Sequence, residues 1–137
     1  MKFPCKILTL EQQIFSDDIS AAMIPTPQGL MEVLAKHEPM VAAVGDGELQ
    51  LQTGNVEERF AVSSGFVKVL PEKLTIFVEM AERAEKISAQ EAETAVRRAE
   101  EAMKRGPKKG AEYEQAAIEY RRMVLRLNVA RRKRKSI

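Results

Sequence analysis

Tryptophan is absent from this chain, and cysteine and histidine occur once each, as Cys5 and His37. A lone cysteine excludes an internal disulfide framework. One His and one Cys cannot build a metal-ligand cluster of the usual spacing. Neither a GxxxxGK[ST] loop nor a GxGxxG turn is present, and no serine sits in a nucleophile-elbow context. Cys5 reads as a small packing residue on a strand. His37, between Lys36 and Glu38, reads as an ordinary loop histidine. No catalytic, cofactor-binding or metal-binding residue is assigned, and an enzyme acting alone is not expected. Long apolar runs are missing too. None approaches the roughly 20 residues of a membrane span, and Met1-Lys2-Phe3-Pro4-Cys5 has no apolar signal core. The expected setting is reducing and aqueous.

What is present is a core-forming composition with an uneven charge. The 137 residues are 45% hydrophobic, enough for one domain or a small domain with an appendage. Residues 1–87 hold 8 Lys/Arg against 13 Asp/Glu, a net of −5, and residues 88–137 hold 14 against 7, a net of +7. Such a division points to partner binding or to attraction between the halves.

The acidic part reads as many short strands. Phe3 to Thr9 makes the first, and a short one through Ile14 and Phe15 is expected to turn at Asp17-Asp18. Ile19 to Ile24 alternates until Pro25-Thr26-Pro27-Gln28-Gly29. Met31 and Val33 alternate before a polar loop at residues 35–39, and Val41 to Val44 closes at Gly45-Asp46-Gly47. Glu48 to Gln52 alternates cleanly into the Thr53-Gly54-Asn55 turn. Phe60 and Val62 lead to Ser63-Ser64-Gly65. Val67 and Val69 precede a turn at Pro71-Glu72-Lys73, and Leu74, Ile76, Val78 and Met80 share one face. Closely spaced strands broken by Gly, Pro and Asn, with no helix between them, predict an antiparallel β-sandwich or flattened barrel over residues 1–87.

From Ser88 the period becomes helical. Ser88-Ala89-Gln90-Glu91 fits a capping box. Ala92, Ala95, Val96, Ala99, Ala102 and Met103 form a thin apolar stripe, with favourable i,i+4 pairs expected at Glu93–Arg97, Glu100–Lys104 and Glu101–Arg105. Gly106-Pro107-Lys108-Lys109-Gly110 turns the chain into a second helix from about Ala111. Its inward face is expected to hold Tyr113, Ala116, Ala117, Tyr120, Val124, Leu127 and Ala130. The short connection predicts an antiparallel two-helix hairpin over residues 88–137. Its stripe is mostly methyl groups, so it buries less apolar area than a Leu/Ile face would.

The basic C-terminus is the strongest chemical feature. Arg121, Arg122 and Arg126 precede Arg131-Arg132-Lys133-Arg134-Lys135. The last five residues read equally as a solvated tail. Nucleic acid would need exposed aromatics for base stacking, yet both tyrosines sit at expected core positions. An anionic membrane would need a more apolar face. An acidic protein surface needs neither and fits best. On the residues alone, a non-catalytic β-sandwich adaptor whose basic hairpin binds an acidic polymer or membrane surface stays open.

Several collinear motifs add a resemblance. Glu11-Gln12-Gln13-Ile14-Phe15-Ser16, His37-Glu38-Pro39-Met40, the segment from Gly45 to Leu51, Val62-Ser63-Ser64-Gly65-Phe66, Ala81-Glu82-Arg83-Ala84, and Leu125-Arg126-Leu127-Asn128-Val129-Ala130 follow one another in order. In this they resemble the epsilon subunit of F-type ATP synthases across nearly the whole chain. The resemblance implies a non-catalytic rotor subunit of the central stalk, with partners in the gamma subunit and the c-ring. Gly29, Leu30, Met31, Glu32, His37 and Pro39 fall where that family contacts the ring or gamma. It also implies a helical arm that folds against the sandwich or extends toward the beta and alpha subunits. There Arg121, Arg122, Arg126, Arg131 and Arg132 would meet acidic beta surfaces and inhibit ATP hydrolysis. The setting implied is the cytoplasmic face of a bacterial inner membrane, peripheral to it, ahead of a thylakoid. Two departures stand out. The family's Gly-x-Leu-Pro run is here Glu32-Val33-Leu34-Ala35. The ATP-binding motif of some members is here Ile87-Ser88-Ala89-Gln90-Glu91-Ala92, with a serine for its aspartate and a phosphate-repelling glutamate for its arginine, so no ATP site is assigned.

Overall fold

Alternation along the first half produces strands whose apolar sides must meet, and they do so in two sheets. The computed structural model of the chain describes residues 1–132. It divides into two compact units, Met1–Arg83 and a second starting at Ala84. In the first unit β1 (Phe3–Leu8), β2 (Gln13–Ile19), β5 (Met40–Val44), β8 (Gly65–Leu70) and β9 (Lys73–Val78) form one sheet in the order β2-β1-β9-β8-β5. The second sheet runs β10-β7-β6-β3-β4, from β3 (Ala21–Thr26), β4 (Gly29–Leu34), β6 (Gly47–Thr53), β7 (Val56–Val62) and β10 (Ala81–Arg83). All recorded pairings are antiparallel except β1 with β9, which is parallel. The expected sandwich is therefore present, with one parallel seam.

Its core interleaves both sheets. Ile7, Ile19, Val67 and Ile76 from the first sheet meet Ile24, Leu49, Leu51 and Phe60 from the second, all fully buried. Phe15 and Phe60 cross edge to face at 5.8 Å, a geometry that brings one ring's positive edge to the other's negative face. The Arg83 guanidinium lies 5.8 Å from the Phe15 ring centroid and 5.2 Å from that of Phe60, and pairs with Glu58 at 3.3 Å. Cation–π attraction thus closes one end of the core, and it uses the arginine of the Ala-Glu-Arg-Ala motif.

Three expectations need correction. Asp17 and Asp18 make no turn; they lie inside β2, opposite Cys5 and Pro4. The chain breaks at Ser20 instead, where it passes from one sheet to the other. Ile19 is buried before the break, and Ala22 and Ile24 after it, so the inward phase shifts by one residue there. Pro25 does not stop the following strand but belongs to β3. Third, β9 ends at Val78 rather than carrying Met80 on its buried face. The backbone then crosses sheets, with Ser63 N–H donating to the Met80 carbonyl at 3.0 Å. Ala81–Arg83 pairs with β7 as a tenth strand.

Gly65 sits at the tightest point. A Cβ there would lie 1.9 Å from the Phe77 carbonyl oxygen, an impossible approach to a backbone atom. The Asp46 carboxylate holds the same turn by accepting from Ser64 N–H at 2.8 Å.

In the second unit a 3-10 turn at Ala84–Lys86 precedes α1 (Ala89–Lys104) and α2 (Ala111–Arg131). Ser88 caps α1, its Oγ accepting from Glu91 N–H at 3.3 Å. Glycines with left-handed φ, Gly106 at 75° and Gly110 at 100°, fold the connection. Ala92, Ala99, Leu127 and Val129 are buried, while Tyr113, Ala116, Ala117, Tyr120, Val124 and Ala130 are half-buried. Ala102 is exposed, while Ala95, Val96 and Met103 of the same stripe are half-buried. Glu100–Lys104 and Glu101–Arg105 pair at 3.1 and 4.0 Å as expected. Glu93 does not pair with Arg97; its carboxylate takes Arg131 of α2 instead.

On the outward side of the second sheet, Glu48 accepts from Arg59 Nε at 2.7 Å and from Gln50 Nε2 at 3.0 Å, with side chains only 12% (Glu48) and 8% (Arg59) exposed. Breaking one partner of such a pair leaves a buried charge, so Arg59→Met is expected to cost about 3–5 kcal/mol in urea unfolding. Arg59→Met with Glu48→Leu should recover most of that; a double variant as unstable as the single one would contradict it. Gly65→Ala is expected to lower stability by about 3 kcal/mol through overpacking against β9. A urea midpoint within experimental error of the parent would refute the close approach.

Candidate functional site

Cys5 is buried, and burial pushes its thiol up to about 12, which leaves it protonated and weakly nucleophilic. Among the described residues no group of His, Cys, Asp or Glu is placed to hold a metal ion. What the fold presents is surface, in three places.

The first is the outer face of the first sheet. Strand register aligns Ala43, Phe66, Phe77 and Leu8 in one row across β5, β8, β9 and β1. Phe66 and Phe77 stack at 4.9 Å with an interplanar angle of 23°. Phe66 remains 49% exposed, Val41 in the adjacent row 68%, and Leu10 just past β1 is fully exposed. Lys6 and Lys68 flank the row from the neighbouring register. Single exposed apolar residues are ordinary, but a contiguous aromatic row on an open sheet marks an interaction face. No sequence expectation placed Leu8, Val41, Phe66 or Phe77 on a contact surface, although Phe66 closes one motif of the resemblance. Their signal was present: apolar residues at outward positions of strands that already had a buried face.

The second surface is the segment from Gly29 to Pro39. Thr26-Pro27-Gln28-Gly29 makes the β3–β4 turn, where Thr26 Oγ1 donates to the Gly29 carbonyl at 2.6 Å. On β4, an edge strand, Leu30 (66% exposed), Glu32 and Leu34 (50%) face outward. Met31 is half-buried against the core and Val33 is buried. His37 is held in place, its Nδ1–H donating to the Leu34 carbonyl and its ring set edge-on to Phe3 at 5.0 Å. Pro39 is exposed. Of the six candidates here, Leu30, Glu32 and Pro39 are presented outward, whereas Gly29, Met31 and His37 serve the turn, the core and the loop.

The third surface is the hairpin. Arg121 and Arg132 are exposed, Arg122 and Arg126 are half-buried, and Arg126 Nη1 approaches Met123 Sδ at 3.7 Å. Arg131 is engaged by Glu93. Lys133, Arg134 and Lys135 lie outside the described residues. An open groove between the helices is lined by Glu91, Arg98 and Glu119, among others. Two carboxylates against one guanidinium make a poor cradle for a polyphosphate.

The ATP synthase delta/epsilon chain β-sandwich domain matches residues 2–84, and the long α-helix domain of the same chain matches residues 85–131. The ATP synthase epsilon chain of Herpetosiphon aurantiacus is 34% identical over 134 residues, 98% of this chain and 98% of that one. Its counterpart in Halalkalibacterium halodurans is 31% identical over 92% of this chain and 95% of its own length. Similar folds occur in a chain of the Euglena gracilis mitochondrial ATP synthase (TM-score 0.72, 24% identity, covering 86% of this chain and 74% of that one) and in the Tetrahymena thermophila central stalk/c-ring assembly (TM-score 0.64, 14% identity, 95% and 97%). This chain belongs to the ATP synthase epsilon chain family, whose members are subunits of the synthase and not themselves catalysts.

Proposed function

We propose that this chain is the central-stalk epsilon subunit of a proton-translocating F-type ATP synthase, in which residues 1–87 dock and residues 88–137 regulate. The observation that carries the reading is the exposed aromatic row on the first sheet of a chain in this family. A flat apolar face with two flanking lysines suits a permanent subunit contact, and we assign it to the gamma subunit. Stacked aromatics at the centre of such a face are the side chains that dominate binding energy. The Gly29–Pro39 segment, with Leu30, Glu32 and Pro39 outermost, is assigned to the c-ring, which places the chain peripherally at the cytoplasmic face of a bacterial inner membrane. No helix among the described residues is long and apolar enough to cross that membrane.

The second unit supplies the regulatory part. With a net of +7, residues 88–137 are suited to acidic surfaces of the beta and alpha subunits. Arg121, Arg122, Arg126, Arg131 and Arg132 would make that contact and block rotation in the hydrolysing direction. The alanine-rich seam between the helices favours a hairpin that opens at modest cost.

Two measurements test these assignments separately. Phe66→Glu is expected to weaken association with purified gamma by more than about 30-fold, the loss of a central hot spot, while the chain keeps its own fold; unchanged association would remove the face from the contact. Truncation after Ile87 is expected to raise ATP hydrolysis by the assembled enzyme. Replacing Arg121, Arg122 and Arg126 by Gln should reproduce part of that rise. Hydrolysis unaltered by truncation would leave the helices without an inhibitory role.

A further inference from the structure

The ion pair between Glu93 and Arg131 joins the first turns of α1 to the last turn of α2, at the end of the hairpin opposite its loop. The loop already tethers one end covalently. At the other end, Glu93–Arg131 is an ion pair that bridges the two helices. Both side chains are about half exposed, Arg131 at 55% and Glu93 at 45%, so the pair is accessible to exchange with another charged surface. Glu93 had a partner of its own available at Arg97, one turn along α1. The structure uses the longer connection.

We infer that Glu93 is an intramolecular latch that holds Arg131 in the closed hairpin and competes with any external carboxylate for the same guanidinium. This rests on the reading of the basic helix as an arm for acidic partners, and it names how that arm is restrained. One guanidinium cannot serve both partners in the same geometry, so engagement of Arg131 elsewhere requires release from Glu93. Glu93 thus sets a threshold for opening while contributing nothing to the external contact. An exposed pair carries a small interaction energy, which suits a restraint that a partner surface must overcome.

The test uses the full-length chain with nitroxide labels at Gln90→Cys and Asn128→Cys, both exposed positions on facing helices; the buried Cys5 thiol stays unlabelled in the folded chain. Pulsed electron resonance reads the distance distribution. Glu93→Gln is expected to raise the open population about two- to five-fold, the range of an exposed ion pair. Glu101→Gln, which removes the same charge from a pair within α1, should leave the distribution unchanged. The exchange Glu93→Arg with Arg131→Glu should restore closure. An unchanged distribution in Glu93→Gln, or equal opening in Glu101→Gln, would overturn the latch whatever the arm does in the enzyme. The arm reading is checked apart from it, in the assembled synthase. There Glu93→Gln should deepen inhibition of hydrolysis; opening without any change in hydrolysis would confirm the latch and count against the arm.

Discussion

At Gly65 the backbone of β8 comes so close to the Phe77 carbonyl that no side chain fits between them. That approach pins the β8–β9 register, Gly65 with Val78 and Phe66 with Phe77. A slip of β8 by one residue would turn Val67 outward and drive Phe66 into the core, because strand side chains alternate strictly between faces. The buried half of the first sheet and its exposed aromatic row are therefore two consequences of one constraint. The neighbouring Ser63–Met80 bond and the Asp46 carboxylate hold the same crossing from the other side. Motif residues that look like signatures of function prove to be devices of the fold: a glycine for clearance, and Arg83 for closing the core over Phe15 and Phe60.

The second unit is built on a different balance. Its buried residues are few: Ile87, Ala92, Ala99, Leu127 and Val129. Charge fills the deficit through pairs within α1 and through Glu93–Arg131 between the helices. Short-range apolar packing resists opening only while the helices touch, whereas exposed ion pairs trade partners readily in water. Under the proposed function, a hairpin held this way would respond to an acidic surface. The sandwich, with its interleaved aliphatic core, is suited to staying folded while that happens.

Much of this architecture was legible in the order of residues. Alternation and short apolar runs between turn residues marked nine of the ten strands, though not all their ends, and the capping serine and glycine-rich turn marked the hairpin. The misreadings share one cause. Asp17-Asp18 looks like a turn because two adjacent carboxylates usually lie in solvent, yet β2 is an edge strand, where both stay exposed although they point to opposite faces. Ala81–Arg83 looks like the approach to a helix because three residues are too few to show a period. Glu93 appeared destined for Arg97 because sequence spacing sees only one helix at a time.

By itself the sequence determined the class of fold, the order of strands before helices and the division of charge. Each of these depends on local pattern or composition, which neighbouring residues set among themselves. Only the tertiary structure decided that Phe66 stacks on Phe77 in the open, that Met31 and His37 serve the core and the loop while Leu30 and Glu32 face out, and that Arg131 is already engaged. Those outcomes follow from register and from contacts between residues far apart in the chain, and these exist only once two sheets, or two helices, have met.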